Sequence, residues 1–227
     1  MNKADIQGFD ISAKSAAVIG CGGLGCNVAV HLAGAGIGKL TLVDFDAVSQ
    51  SNLNRQFLYT AEDTGKPKAM LAAERLKKYS PDTEITYINK KICDTDNLEE
   101  IKYCDIVFLA VDNNEARKIL QDFCTANSIL LVNGGINGFC GTAYLYVPEK
   151  SPCLSCAGLM EKESKKIISV SSTAGIIGAL EAEIGIKYLL GKTDIAGTLH
   201  IYDNGEINKL KIKPQSDCGI CGVKKNV

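Results

Sequence analysis

The segment "VIGCGGLGCNVAVHLAGAGIGKLTLVDFD", residues 18–46, holds the first residues of this chain that could do chemistry. Its glycines fit the pattern G-x-G-x-x-G, between a strand-like run and a helix-like run. In such a turn Gly20 permits the tight bend, Gly22 lets the backbone approach a phosphate, and Gly25 lets helix and strand pack closely. Free N–H groups at the start of the helix favour an anion. The turn therefore predicts that Gly20 and Gly22 lie against a nucleotide.

Two acids follow this turn at the end of the next strand-like run. Asp44 lies 19 residues after Gly25, where an acid commonly accepts hydrogen bonds from a ribose hydroxyl. Asp46 has two open roles, since it could shape the turn into the next segment or lie near a metal ion. These residues alone would fit an NAD-dependent oxidoreductase, but no group in the chain suggests a hydride-transfer site.

A second set of residues suits a triphosphate better than NAD. The segment "SQSNLNRQF" supplies Arg55, "TGKPKAML" places Lys68 at a helix start, and "LAVDNNEAR" ends a strand with Asp112. Arginine and lysine can align phosphate oxygens, and a strand-end aspartate can hold a magnesium ion that bridges them. Because these segments follow three strands of one predicted sheet, we expect them to converge on one crevice. The predicted nucleotide-binding set also includes Ser51, Asn52, Asn54 and Asn113.

Ten cysteines are present, and four of them form two C-x-x-C pairs. Cys153 with Cys156 and Cys218 with Cys221 would give the four thiolates of a closed, structural zinc site. The 61 residues between the pairs exceed the spacing of a compact zinc ribbon, so the metal would tie the tail back to an earlier segment. A redox-active C-x-x-C is the alternative. The remaining six are predicted to be buried small hydrophobes: Cys21, Cys26, Cys93, Cys104, Cys124 and Cys140.

The elements that must position these residues alternate between strand-like and helix-like runs. Strands are predicted in "AAVIG", "KLTLVDFD", "ITYINK", "DIVFLAVD", "ILLVNGG" and "GTAYLYVP", and helices at Leu24–Ala35, Lys68–Tyr79 and Glu115–Ala126. Strands separated by helices predict a parallel sheet with right-handed crossovers. The expected fold is α/β, with a doubly wound, Rossmann-like, mostly parallel sheet, a C-terminal hairpin and a zinc-tethered tail.

The second half of the chain completes one predicted domain, residues 1–227. Residues 157–172 are predicted to be a mobile loop, and "TAGIIGALEAEIGIKYLLG" a long helix that stops at Gly191. The segment 198–227 is predicted to hold the zinc-binding tail after a hairpin around Asn204-Gly205.

Bulk composition excludes several classes of protein. The net charge of −1 gives no reason to expect nucleic acid or a membrane surface as a partner. The first residues, "MNKADIQGFD", are not a signal peptide, and the longest apolar stretch contains two glutamates and a lysine. We therefore expect a soluble, cytoplasmic protein.

With these motifs in order, the chain resembles the ThiF/MoeB/HesA family, bacterial relatives of the ubiquitin-activating enzymes. The resemblance runs over residues 15–221. The matching pieces are "GCGGLG", "LTLVDFD", "SNLNRQ", "GKPK", "VDNNEAR", both cysteine pairs and the late helix. The order "DFD" then "SNLNRQ" is the specific part, whereas the glycine turn alone would not be.

The resemblance implies an ATP-dependent adenylyltransferase. Such enzymes use MgATP to activate the C-terminal glycine of a small ubiquitin-like sulfur carrier, in thiamin, molybdopterin or cysteine biosynthesis. By motif, Gly23 and Asp44 would contact the nucleotide, and Asp112 would hold magnesium. Asn52, Arg55 and Lys68 would handle the phosphates. The resemblance also implies structural zinc and a homodimer.

Two departures from the family pattern qualify this expectation. Some relatives carry a cysteine before the late helix that links covalently to the carrier, whereas here no cysteine occurs from Ala157 to Ile176. We therefore expect adenylation without a covalent step on this loop. Relatives also begin with an arginine that reaches the partner's ATP; here either Lys3 or Lys14 substitutes or the contact is missing.

Other substrates and roles remain open at this point. The carboxylate could belong to a peptide or to a modified tRNA base, although a near-neutral chain without a basic tract argues mildly against tRNA. A scaffold that binds nucleotide without catalysis is a further alternative.

Overall fold

The computed structural model describes residues 9–93, 96–111, 113–160 and 168–221. Strands and helices alternate through the first part of these ranges, as predicted. The strands are β1 Ser15–Ile19, β2 Lys39–Val43, β3 Glu84–Ile88, β4 Ile106–Leu109, β5 Leu130–Asn137, β6 Cys140–Tyr146, β7 Thr198–Asp203 and β8 Glu206–Lys211. The α-helices are α1 Gly23–Gly34, α2 Lys68–Tyr79, α3 Asn114–Ala126 and α4 Ser171–Leu189.

Over the described residues, the strands form one eight-stranded sheet in the order β3-β2-β1-β4-β5-β6-β7-β8. The pairs from β3 to β5 are parallel, and the pairs from β5 to β8 are antiparallel. The strand order changes direction between β1 and β4, which creates a crevice at the carboxyl ends of these strands. The predicted α/β, doubly wound, mostly parallel sheet is confirmed.

The parallel strands have apolar side chains on both faces, so both faces of the sheet are covered. Alternate residues of β1 point into two different cores, Ala16 and Val18 into one and Ala17 and Ile19 into the other. Helices α1, α2 and α4 cover the first face, whereas α3 and the cysteine segment cover the second. A strand buried on both faces needs a continuous apolar run rather than an alternating one.

The boundaries of the helices differ slightly from those expected. Helix α3 begins at Asn114 because the Asn113 side chain accepts a hydrogen bond from the Ala116 N–H at 2.8 Å. Helix α4 begins at Ser171, so the last two residues of the predicted loop 157–172 are helical. Gly191 stops this helix with a φ of 89°. Residues 161–167 of the predicted loop lie outside the described residues, and its mobility stays a prediction.

The C-terminal hairpin is confirmed. Strands β7 and β8 pair in antiparallel order. Thr198 lies opposite Lys211 at the open end, and Asp203 lies opposite Glu206 beside the two-residue turn. Asn204 and Gly205 have φ values of 47° and 103°, the positive values that a tight hairpin turn requires.

Two of the six isolated cysteines differ from the prediction. Cys93 and Cys140 are exposed, whereas Cys21, Cys26, Cys104 and Cys124 are buried. Cys93 lies five residues beyond β3, and Cys140 is the first residue of β6, so neither is inside a covered strand. None of the helices in the described ranges has both the length and the apolar character needed to cross a membrane.

Candidate active site

The glycine turn after β1 adopts the geometry expected of a phosphate-binding turn. Gly20 has a φ of 93°, and a Cβ there would lie 2.5 Å from the Ala110 carbonyl oxygen. A Cβ at Gly25 would collide with the Gly20 carbonyl oxygen, so only glycine allows α1 to start this close to the strand. At Gly22 the same Cβ would meet only the Gln56 amide, at 3.7 Å. Gly22 therefore leaves open space where α1 presents its free N–H groups.

Asp44 is anchored to this turn by both carboxylate oxygens. One accepts the Cys21 N–H at 2.6 Å, and the other accepts the Asp46 N–H at 2.8 Å. Burial raises the pKa of Asp44, and the two N–H donors oppose that rise. The remaining lone pairs can accept ribose hydroxyls, which agrees with the predicted role.

Asp46 pairs with Lys68, the first residue of α2. The Lys68 Nζ lies 3.0 Å from Asp46 Oδ2, and the Lys68 N–H donates to the Asp46 carbonyl oxygen at 2.9 Å. Lys68 is only 5% exposed, and a buried charge needs a partner. The Asp46 carboxylate supplies that partner. Of the two roles left open for Asp46, this geometry favours shaping the turn.

The segment that carries Arg55 follows as a short 3-10 helix, Gln50–Asn52, and turns. Arg55 Nη1 donates to the Asn54 side-chain oxygen at 2.9 Å and to the Ser51 carbonyl oxygen at 3.3 Å. Arg55 and Asn52 line the cleft, but Ser51 and Asn54 are absent from its described lining. The Ser51 hydroxyl contacts the Ser49 hydroxyl instead. The structure thus gives Ser51 and Asn54 the role of shaping the Arg55 segment.

These residues meet in one cleft of about 280 Å³ above the carboxyl ends of the parallel strands. Among the described lining residues, five side chains are cationic and two are carboxylates, Asp44 and Asp46. The five cations are Arg55, Lys68, Lys90, Lys91 and Arg117. This excess of positive charge suits a polyanionic ligand such as a triphosphate.

Several lining residues were missed by the sequence analysis. Lys90 and Lys91 are the second and third residues beyond β3, and Arg117 lies one helical turn beyond Asn113. Gln56 ends the "SNLNRQ" motif, is 3% exposed, and has no hydrogen-bond partner for its side-chain oxygen within the described ranges. The rule that ligands bind beyond the carboxyl ends of parallel strands could have indicated the two lysines.

Asp112, the predicted magnesium ligand, lies outside the described residues, and its role stays a prediction. Asn113 does line the cleft, although its side-chain oxygen already caps α3.

Lys14 lies far from this cleft within its own chain. It precedes β1 and pairs with Asp105 at 3.6 Å, at the amino end of the sheet. Lys3 lies outside the described residues.

The two C-x-x-C pairs form a separate cluster on the α3 face of the sheet. The sulfur atoms of Cys153, Cys156, Cys218 and Cys221 all lie within 4.8 Å of one another. The distances from Cys153 to Cys218 and from Cys156 to Cys221 are 3.5 and 3.4 Å. A tetrahedron with zinc–sulfur bonds of about 2.3 Å has edges of about 3.8 Å, so this donor set fits zinc. Burial opposes ionisation of Cys218, but the backbone N–H groups of Cys221 and Ile220 lower its pKa to about 6.

Comparison with known proteins identifies the family. The model described as "ThiF family" matches residues 7–221, and the chain therefore belongs to the ThiF family. The sulfur carrier protein ThiS adenylyltransferase of Escherichia coli (strain K12) is 32% identical over 212 residues, which cover 90% of this chain and 84% of that protein. The molybdopterin-synthase adenylyltransferase of the same organism is 33% identical over 232 residues, covering 96% and 93%.

A solved structure of low identity shares the fold. The crystal structure of E. coli MccB with ATP superposes with a TM-score of 0.83 at 24% identity, covering 93% of this chain and 67% of that one. At this identity the likeness concerns the fold alone. The family match and the curated relatives show that the chain is an adenylyltransferase of the ThiF/MoeB type.

Proposed function

We propose that this enzyme uses MgATP to adenylate the C-terminal glycine carboxylate of a small ubiquitin-like sulfur-carrier protein. The observation that carries this proposal is the single cleft in which the glycine turn, Asp44, Arg55 and Lys68 meet. The names of the E. coli relatives, which act on ThiS or serve molybdopterin synthase, support a sulfur carrier as the substrate.

The reaction needs alignment of two anions more than it needs a base. A C-terminal carboxylate, with a pKa of about 3.5, is already ionised at neutral pH. One of its oxygens attacks the α-phosphorus of ATP, the bond from that phosphorus to the bridging oxygen breaks, and pyrophosphate leaves. The product is an acyl-adenylate that a sulfur donor can attack.

In this scheme the glycine turn, Asp44, Asn52, Arg55 and Lys68 have distinct roles. The N–H groups at the start of α1, where Gly23 lies, and the open space at Gly22 receive phosphate oxygens. Asp44 holds the ribose, and Arg55 and Lys68 neutralise the charge that develops on the phosphates, with Asn52 beside them. Asp112 would hold magnesium, which would supply positive charge for the phosphates.

The cysteine cluster would hold one structural zinc ion through four thiolates, away from the reacting atoms. A second copy of the chain as a homodimer partner, a cytoplasmic location, and a role in thiamin, molybdopterin or cysteine biosynthesis belong to the same proposal. No covalent carrier intermediate is expected on residues 157–176, which contain no cysteine.

The test is carrier-dependent exchange between ATP and labelled pyrophosphate. Exchange should appear with a carrier from the same genome that ends in Gly-Gly, and disappear when that carrier lacks its last glycine. Lys68→Met should reduce the exchange rate about 10²- to 10³-fold, because a fixed positive charge at the reacting phosphates is removed. Lys66→Met is the matched control, since Lys66 is half exposed and pairs with Asp63 outside the cleft.

Asp112 provides an independent test of the magnesium role. Asp112→Ala should abolish exchange while the circular dichroism spectrum stays unchanged. Undiminished exchange in this variant would refute the magnesium role. Absence of exchange with every Gly-Gly carrier of the genome would refute the proposed function, and ATP binding without exchange would favour a non-catalytic scaffold.

A further inference from the structure

An aromatic side chain stands between the two aspartates at the end of β2. Phe45 is 54% exposed, yet it lines the same cleft as Asp44 and Lys68. The Lys91 ammonium lies 5.7 Å from the centroid of its ring, within the range of a cation–π contact. None of the roles given so far to the cleft residues uses this aromatic surface.

The topology of the sheet indicates which part of a nucleotide would reach Phe45. Phosphates bind at the start of α1, beyond β1, and Asp44 offers its ribose-binding oxygens beyond β2. Strand β2 lies between β1 and β3, so a nucleotide that follows this direction places its base toward the carboxyl end of β3. Lys90, Lys91 and Ile92 follow β3 and line the cleft there.

Two contacts place Phe45 on that side. The Asp44 N–H donates to the Ile88 carbonyl oxygen at 3.2 Å, so the β2 and β3 ends remain paired at this position. The Asp44 carboxylate itself is held at the glycine turn by its bond to the Cys21 N–H. The next residue, Phe45, has its ring beside the Lys91 ammonium, and Lys91 lies beyond the carboxyl end of β3.

We propose that Phe45 is the stacking platform for the nucleotide base, with Lys91 beside it on the rim of the cleft. The inference rests on the proposed ATP-dependent function and adds the residue that selects the base. An aromatic ring binds any base through its π face, and a purine overlaps the ring over a larger area than a pyrimidine does. Phe45 therefore favours purine over pyrimidine nucleotides and contributes nothing to the triphosphate.

Binding affinities of three probes separate the base from the phosphates. Isothermal titration would compare ATP, CTP and inorganic tripolyphosphate on the wild-type chain and on Phe45→Ala. Loss of the stacking contact should weaken ATP binding about tenfold. CTP should lose less, and the affinity for tripolyphosphate should stay unchanged.

Two further variants control for damage to the cleft. Phe45→Tyr keeps the ring and should bind ATP as the wild type does. Phe57→Ala removes another exposed phenyl ring, 65% exposed and outside the described cleft lining, and should leave all three affinities unchanged.

The results distinguish this inference from the proposed function. Equal ATP affinities in Phe45→Ala and wild type would overturn the platform, and so would a parallel loss for tripolyphosphate. A wild-type chain that binds no ATP would overturn it as well. ATP binding that depends on Phe45 but is not followed by carrier-dependent exchange would support the platform and refute only the proposed function.

Discussion

At the scale of single residues, Glu181 is an ionisable group that the protein interior encloses completely. It lies in the middle of α4 with 0% exposure, and neither of its carboxyl oxygens has a hydrogen-bond partner among the described residues. A Cβ at Gly134 would overlap its carboxyl group, so this glycine of β5 makes room for it. Burial raises the pKa of Glu181 well above its usual value, and the charge of Arg117 opposes that rise. The neutral, protonated form is therefore the one that fits the folded state.

Glu181→Gln should remove a pH dependence of stability. In the unfolded chain this carboxyl ionises near pH 4.3, whereas the folded chain keeps its proton to a higher pH. Between those two pKa values the folded state binds more protons, so the free energy of unfolding falls as pH rises, by up to about 1.4 kcal/mol per pH unit. Glutamine has nearly the same shape and does not ionise.

Urea unfolding of both proteins at pH 5, 6, 7 and 8 measures this effect. The stability of Glu181→Gln relative to wild type should increase steadily across the series, while other titrating groups cancel in the difference. Parallel pH profiles would show that Glu181 ionises normally inside the fold.

Single residues also differ in how far their roles could be read from the sequence. Arg55, Lys68 and Asp44 were predicted to meet because their segments follow neighbouring strand ends, and all three line the cleft. The contact of Lys91 with Phe45 was not predicted, because it depends on the direction in which a side chain leaves a strand end. The helix pattern likewise could not distinguish Glu181, which is buried, from exposed Glu183.

At the scale of elements, the site depends on how closely α1 and α4 pack. Both helices are apolar on nearly every side, because each is covered by the sheet and by the other. Gly178 makes the close approach possible: a Cβ there would lie 2.6 Å from Asn27 Cβ and 2.9 Å from the Leu24 carbonyl oxygen. Because Leu24 belongs to the first turn of α1, this contact also supports the glycine turn.

Two glycines of α4 should respond in opposite directions to alanine. Gly178→Ala forces α1 and α4 apart and should destabilise the chain by about 1–3 kcal/mol. Gly175→Ala places its Cβ 3.9 Å from the nearest atom, Asn27 Oδ1, and should stabilise the helix by up to about 1 kcal/mol. Urea unfolding gives both values, and ATP affinity should fall only in Gly178→Ala. Equal changes in the free energy of unfolding for the two substitutions would show that helix propensity, and not packing against α1, decides the effect at Gly178.

Element types were predictable here because the apolar runs are long and their ends carry glycine or polar signals. Helix α2 has the predicted bounds, Lys68–Tyr79. The antiparallel pairing of β6 with β5 and with β7 was not predicted, since an apolar run does not specify whether its neighbour is parallel or antiparallel. Those pairings extend the sheet away from the cleft and do not alter the site.

At the scale of the whole molecule, the cysteine cluster joins segments that are far apart in the chain. Cys153 and Cys156 follow β6, while Cys218 and Cys221 lie beyond β8. The chain returns from β8 with the Ile212 N–H donating to the Gly197 carbonyl oxygen at 3.0 Å, and the Gln215 N–H then donates to the Cys156 sulfur at 3.4 Å. The cluster therefore holds the tail on the α3 face, on the other side of the sheet from α1 and α4.

Removal of one thiolate should release that tether without removing the nucleotide site. The wild-type chain should contain about one zinc per chain by elemental analysis, and Cys218→Ser should lose most of it, because three thiolates no longer close the tetrahedron. A loss of about 2 kcal/mol in the free energy of unfolding would lower the thermal midpoint by roughly 4–8 °C in a chain of this size.

Cys93→Ser, which changes an exposed thiol outside the cluster, should keep both the zinc and the midpoint. ATP affinity should be unchanged in both variants, since no cluster cysteine lines the cleft. Two results would mean that the four thiols hold the tail by packing alone. One is a wild-type chain without zinc, and the other is a Cys218→Ser variant with the same thermal midpoint as Cys93→Ser.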